Sequence, residues 1–521
     1  MRNELLLSDG TVHVFDDART RAESVLFRDG RVAAVGTDRE ARAAASDPEV
    51  VELDGRPVLP GFNDAHAHFL SVGIDRLEAD LSAAETREAA IELLAEEAEG
   101  RPAGEWVVGH NYDESTWPDD EGMLTRAELD AVSDDHPVAA FQIAGHAVGV
   151  NGRGLDRLDL SGVERDVRTA GGDPTGLLVE DAAGTVKRAT FPSGERAREA
   201  LGLAGERALE LGVTSVQHVS GLTAPADDGS PIQRAFFDAW RDGSLPVRVT
   251  FYVHSGKAES LSDLELASGF GDEWLRVGGL KTFSDGALGA HTAKLSYSYP
   301  GEPENDGTWT TSPAELERLF GLAAESDQQI ATHALGDEAI ETVLSLYESF
   351  DDDYVRDARL RIEHLELATD DHLERIEEAG IVASMQPNFL QWAGEGGVYE
   401  RVLGSDARGA NNRFRDVLDA GLTLAFGSDT MPMSPLYGIH HAVNASEPSQ
   451  RLDVAEAVEA YTRGSAYAEF AEDRKGRLEP GMFADAVVLD DCPFENPERI
   501  EDIEVDVTVL DGRVAHRRTD A

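Results

Sequence analysis

From about residue 190 onward, short apolar runs alternate with amphipathic segments. The runs are VTSVQHVSG (213–221), VRVTFYVHSG (247–256), RVGGLKTFSDG (276–286), QQIATHALGD (328–337), LRIEHLE (360–366), GIVASMQPN (380–388) and LTLAFGSD (422–429). Between them lie segments such as SPAELERLFGLAAES (312–326), whose apolar positions recur at helical spacing. Strands alternating with helices predict a parallel sheet. The apolar run that leads into PGFNDAHAHF (60–69) supplies an eighth strand, and eight βα units predict a TIM barrel.

The two ends have a different texture. Residues 1–56 and 475–521 read as short strands separated by Gly turns, and FRDGRVAAVG near one end resembles LDGRVAHRR near the other. The pattern predicts one small β-sandwich domain formed by both termini, with the barrel over 57–474. Residues 69–212 separate the first barrel strand from the second, far more than a βα loop needs. This stretch carries its own strand-like segments, WVVGHNYDE and PVAAFQIAGHAVGVN. Residues 69–190 are therefore read as an insertion over the barrel mouth.

Polar residues end or interrupt these apolar runs. His66 and His68 end the first, Lys281 interrupts the fourth, His333 ends the fifth, His364 the sixth and Asp429 the eighth. Alternate residues of a barrel strand face inward, so His66 and His68 share the interior side. They lie at the C-terminal end, where barrel active sites are found. A single His-x-His is weak as a signal, but this set recurs at one face of one barrel.

Composition sharpens two of these positions. Cys492 is the single cysteine, so neither an intrachain disulfide nor a cysteine zinc cluster can form, and any metal must be held by His, Asp, Glu or something rarer. Only five of 46 basic residues are lysines (187, 257, 281, 294 and 475), so a lysine inside an apolar strand stands out. A buried ammonium must be paired or neutralised. Lys281 is either an internal ion pair with Asp285 or a lysine carboxylated by CO₂, whose carbamate can bridge two metals.

The formal net charge of −54 bears on solvent and partners rather than fold. Acidic residues are spread along the whole chain. Such a surface fits a halophilic host, where molar salt shortens screening to about 3 Å. Nucleic acid and anionic membrane, of the same charge sign, are excluded as partners. The N-terminal segment lacks a long apolar run, no stretch approaches a membrane span, and a cytoplasmic location is expected.

With these residues in place, the chain resembles the amidohydrolase superfamily. LPGFNDAHAHF, KTFSDGALGAHTA, THALGDEAI, RIEHLE, GSDTMPMSPL and GHAVGVN are similar to the YtcJ-like branch, amidohydrolase family 3. The resemblance covers nearly the whole chain. It implies His66, His68 and Asp429 on one divalent metal, His333 and His364 on a second, and carboxylated Lys281 as the bridge. Zinc suits all-N/O ligation with imidazoles best, with manganese, cobalt or iron as alternatives. The implied reaction is hydrolysis of a non-peptide C–N bond, amide or formamide-like, in a small molecule by metal-activated hydroxide. Asp429 would act as base and then as acid. A homodimer is expected from the family.

Alternatives stay open at this level. Glu180 (GLLVEDA) matches another recurrent carboxylate of the branch and would ligate if Lys281 is not carboxylated. A mononuclear deaminase of the same superfamily, or a non-catalytic metal-binding regulatory protein, would share several of these residues, although the strand-four lysine argues against the deaminase. Substrate contacts are expected from His146, from Asp113 and Trp117 with His110 and Asn111 in GHNYDESTW, and less firmly from Gln386 and Asn388. His291 belongs with them because many relatives carry Ser-Arg where this chain has Ala290-His291. Ordinary loop packing accounts for each of these contacts equally well. His218 and His254 are inward candidates, expected as supporting or core groups. His13, His136, His372 and His516 read as surface residues.

Overall fold

The computed structural model describes residues 4–118, 122–143, 147–220, 231–404 and 409–518. The chain divides into two compact units, one of Met1–Phe69, Gly205–Ser220 and Leu245–Ala521, the other of Leu70–Ala204 and Gly221–Ser244.

The first unit contains the predicted barrel. Its strands are β1 (Phe62–Ala67), β2 (Val213–Val219), β3 (Arg248–His254), β4 (Leu275–Phe283), β5 (Gln329–Ala334), β6 (Arg361–His364), β7 (Val382–Met385) and β8 (Leu424–Phe426). They lie side by side in sequence order, and every neighbouring pair is parallel. Both faces of such a sheet are covered, which is why these strands read as apolar runs rather than alternating ones. β2 is buried at every position. The sheet nearly closes where β8 approaches β1. The Asp429 N–H donates to the His66 carbonyl at 2.7 Å. At Gly427 a Cβ would sit 2.4 Å from the His66 nitrogen, so only glycine allows that approach.

The helices form for local reasons. Ser312 caps Pro313–Glu325 with proline in the first turn. Asp337–Tyr347 buries Ala339, Ile340, Val343, Leu344 and Tyr347, a stripe of helical period.

Two further sheets of this unit pack on one apolar core, which includes Leu5, Leu7, Val25, Phe27, Val58, Val488 and Val507. One sheet has four strands, Glu4–Ser8, Ser24–Arg28, Arg31–Gly36 and Glu49–Glu52. The other mixes both chain ends: Thr11–His13, Arg21–Ala22, Pro57–Pro60, Ala486–Leu489, Val505–Leu510 and Arg513–Arg517. Pro57–Pro60, read from sequence as the start of the barrel, pairs with Thr11–Val12 and with Ala486–Val488 in this sheet. The apolar run alone could not say which sheet it joins, since it is fully buried in either case.

The second unit has its own six-stranded mixed sheet and its own cores. Sequence patterning marked two strand-like segments here; the first holds Val107–Tyr112, and the second holds two strands, Val138–Gln142 and Ala147–Val150. Among the described residues no helix is long and apolar enough to cross a membrane.

Candidate metal centre

Strand ends of the barrel bring His66, His68, Lys281, His333, His364 and Asp429 to one face of the sheet. The nearest set is His66, His364 and Asp429, whose candidate ligand atoms all lie within 4.8 Å of one another. Ring centroids are 4.9 Å apart for His66–His364 and 4.5 Å for His333–His364. Asp429 Oδ1 lies 3.1 Å from His68 Nε2 and 3.6 Å from His66 Nε2.

Each of the four imidazoles has one ring nitrogen tied to an acceptor. His66 Nδ1 faces Glu363 Oε2 at 2.5 Å, and His68 Nδ1 the Val219 carbonyl at 3.0 Å. His333 Nε2 faces the Gly286 carbonyl at 3.0 Å, and His364 Nδ1 faces Gln386 Oε1 at 2.7 Å. His66, His333 and His364 therefore carry their proton on the tied nitrogen and keep a lone pair on the other, whereas His68 also turns its Nε2 toward the Asp429 carboxylate. That is the pattern by which outer groups orient metal-binding histidines.

The electrostatics favour the same state. Burial, then the Lys281 charge, pulls His66 below its ordinary value and lowers His333 to about 3. His364 is held well below normal by burial and by the neighbouring His333 and His66. For Asp429, burial alone would raise the carboxyl, but His68, His66 and Lys281 outweigh it and hold it at about 2. At His68, Asp429 outweighs burial and the net shift is upward. Three imidazoles held neutral beside an ionised carboxylate are a donor set that a divalent cation can use.

Lys281 is completely buried on β4, and its Nζ has no hydrogen-bond partner among the described residues. It sits 4.7 Å from the Phe283 ring centroid. Burial lowers it to about 8, with Glu363 and Asp429 acting in the opposite direction. The ion pair with Asp285 is not formed. The Asp285 carboxylate instead accepts backbone N–H groups from Lys294, Leu335 and Gly336 at 2.9–3.2 Å. An orphaned buried amine beside lone-pair nitrogens and an ionised carboxylate fits a divalent metal centre.

Two details of backbone geometry were not visible in sequence. His364 and Leu365 have φ of 73° and 50°, and Asp429 and Thr430 have 49° and 61°. Left-handed conformations are uncommon for such residues and collect at functional sites. At β6 the consequence is specific. Glu363 and His364 are adjacent, so a regular strand would point them to opposite sides. The left-handed turn at His364 lets both reach His66.

Sequence reasoning also missed the support beneath the histidines. Arg361 is fully buried and donates from Nε to Glu363 Oε1 at 2.7 Å, from Nη1 to Gln217 Oε1 and the Tyr252 hydroxyl, and from Nη2 to the Ala65 carbonyl and Ser384. The signal was present in RIEH: two opposite charges two residues apart, on the inward parity of an apolar strand. Asp64 is the other omission. Its carboxylate accepts from the backbone N–H of His66 at 3.1 Å and of Ser428 at 2.9 Å, joining the ends of β1 and β8.

The predicted substrate contacts fare differently. His146 lies outside the described residues. Trp117 is no open pocket wall; it packs in a core of the second unit, stacks on Tyr112 and donates to the Ala84 carbonyl at 2.9 Å. Asp113 follows a strand of that unit and is partly buried. His110 pairs with Glu78 at 2.6 Å, Asn111 is exposed, and Glu180 is exposed at the start of a helix of the second unit. His291 takes a left-handed turn after β4, stacks on Tyr299 and meets Glu302 at 2.7 Å. Gln386 and Asn388 are fully buried. His218 Nδ1 accepts from the Phe69 N–H at 3.1 Å, and His254 Nδ1 from Gly256 at 3.0 Å. His13, His136 and His372, read as surface residues, are 5–6% exposed.

The sequence profile of the Amidohydrolase family matches residues 49–516. The chain belongs to the amidohydrolase family. Its similarity to the putative amidohydrolase YtcJ of Bacillus subtilis is 29% identity, covering 98% of this chain and 99% of that one. To the N-substituted formamide deformylase of Arthrobacter pascens it is 28% identical, with 99% of each chain covered. Among solved structures, an uncharacterized metal-dependent hydrolase from Pyrococcus furiosus superposes with a TM-score of 0.81 at 28% identity, covering 94% of this chain and 100% of that one. Membership of the amidohydrolase family makes the chain a hydrolase, with a small molecule as its substrate.

Proposed function

We propose that this amidohydrolase cleaves a non-peptide C–N bond, amide or formamide-like, at a divalent metal centre in the barrel. The observation that carries the reading is the set of four histidines, each tied through one nitrogen, with His66 and His68 turned by the other toward Asp429. His66, His68 and Asp429 would hold one cation and His333 and His364 a second, with Lys281, carboxylated, between them. Zinc best suits this nitrogen and oxygen donor set. When bound, a divalent metal supplies a Lewis acid for the substrate carbonyl and lowers the pKa of water to about 7. Asp429, held ionised, accepts the attacking water's proton and returns it to the leaving nitrogen. A Lys281 amine brought to about 8 is partly neutral near pH 7 to 8. The neutral amine adds CO₂ through its nitrogen and releases one proton, giving the carbamate. The similarity to an N-substituted formamide deformylase along the whole chain supports a formamide-like substrate.

A second reading has one metal on His66, His364 and Asp429, as in a mononuclear deaminase. The 4.8 Å grouping of those three favours it. Metal content per chain in molar KCl separates the two. The dinuclear reading expects two equivalents in the wild type and one or none in Lys281→Ala. One equivalent in both proteins would sink the bridge. Metal retained without turnover of any N-substituted formamide or amide tried would make the protein a metal-binding regulator rather than this enzyme.

A further inference from the structure

β7 offers no candidate ligand, yet the residues just after it reach the two strained strand ends on either side. Gln386 follows Met385 directly, and Pro387 opens a short 3-10 turn that carries Asn388. Both side chains are fully buried. Gln386 Oε1 accepts a hydrogen bond from His364 Nδ1–H at 2.7 Å. The Asn388 amide donates at 2.7 Å to the Ser428 carbonyl and at 2.7 Å to the Met431 carbonyl. These two carbonyls straddle Asp429 and Thr430, the pair with left-handed backbone. One amide side chain therefore fixes which nitrogen of His364 is free. The other pins the loop that presents Asp429.

We infer that Gln386 and Asn388 are positioning residues for the metal centre, acting through His364 and Asp429 rather than by touching substrate. The inference rests on the metal-centre reading given above. It also changes the sense of the sequence, in which both had looked like substrate contacts. A side chain whose polar atom is committed to a candidate ligand or to its backbone has a different task from one that meets substrate. The two strained ends need outside support, because a left-handed Asp or His relaxes toward ordinary strand geometry when its turn is released.

The test is zinc affinity of the full chain, stripped of metal and titrated in molar KCl against a chromophoric chelator. Gln386→Met and Asn388→Ala are expected to bind zinc about 10- to 100-fold more weakly than wild type. Gln386→Glu keeps an acceptor for His364 Nδ1–H and is expected to retain near wild-type affinity. Cobalt(II) loaded into Asn388→Ala is expected to give a ligand-field spectrum different from the wild type, which a mere loss of stability would not produce. Wild-type affinity in Gln386→Met, or equal losses in Gln386→Met and Gln386→Glu, would overturn the assignment of Gln386. If the methionine variant does not fold, a loss of about 10-fold or more in Gln386→Glu overturns it by itself. An unchanged affinity and cobalt spectrum in Asn388→Ala would overturn the assignment of Asn388. Failure of the wild type itself to bind zinc or cobalt would remove the metal-centre reading, and this inference with it.

Discussion

The barrel interior holds two layers of buried polar groups that differ in kind. In the layer around Arg361 the donors and acceptors match. Arg361 donates from all three nitrogens, and Glu363 accepts from Arg361, Ser384 and His66. The Tyr252 hydroxyl donates to Gln329 Oε1, and the Gln329 amide nitrogen in turn donates to the Arg359 and Ala468 carbonyls. At the mouth, by contrast, Lys281 Nζ and His254 Nε2 are buried without a hydrogen-bond partner among the described residues. Both layers remove polar atoms from water. Only the first returns what that removal costs. A satisfied layer builds a platform, whereas an unsatisfied one has capacity left for a ligand.

The largest effect that would break this contrast comes from the platform. Glu363→Ala leaves the Arg361 charge buried without its carboxylate and is expected to cost about 3–5 kcal/mol of stability. Urea unfolding in molar KCl measures it, and a loss under about 1 kcal/mol would mean the two layers do not differ as described.

Next in size is a control outside the barrel. His13 Nε2 is also buried and unpartnered, yet its ring stacks on Phe494 in the terminal sheets, centroids 4.3 Å apart. Burial, then the Arg21 charge, lowers its pKa to about 4. Between about pH 4 and 6.5 the unfolded chain binds the extra proton, so stability falls as pH drops through that window and is fully present above it. The shift corresponds to about 3 kcal/mol. His13→Phe should flatten that part of the stability profile and leave bound metal unchanged. A loss of metal in this variant would blur the line between a buried orphan atom and a ligand site.

The smallest expected change sharpens the contrast most. Lys281→Met removes an amine with no hydrogen-bond partner among the described residues, so the metal-free stability at neutral pH should not fall below wild type by more than about 1 kcal/mol. A drop like that of Glu363→Ala, read in the same urea series, would place Lys281 in the platform after all.

How much of this was legible follows the same division. Apolar runs located seven of the eight barrel strands because a parallel sheet is buried on both faces, but the run taken for the first, Pro57–Pro60, belongs to the terminal sheet and the barrel strand Phe62–Ala67 follows it. The histidines, Lys281 and Asp429 stood out because they break those runs at strand ends. Residues whose role is to satisfy others left a fainter trace. Arg361 and Glu363 were plain in the chain but had no stated use until their partners on β1, β2, β3 and β7 were known. Gln386 and Asn388 looked like contacts because amides in a loop resemble recognition groups. The buried His136 could not be foreseen, since its Nδ1 partner is the carbonyl of Glu105. His372 was closer to view: it lies three residues after Thr369, and the two cap their helix together.

The composite terminal sheet has a consequence for the order in which the chain is made. Pro57–Pro60 has Thr11–His13 on one side and Ala486–Leu489 on the other. During synthesis the first neighbour is already present, but the second leaves the ribosome about 430 residues later, on the order of tens of seconds at ordinary rates. β1, which follows at once, waits for Asp429 in the same way. The nascent chain therefore carries two adjacent open strand edges until segments about 360 and about 430 residues further on are made, and a chain truncated before residue 486 would keep an edge free to pair with another copy.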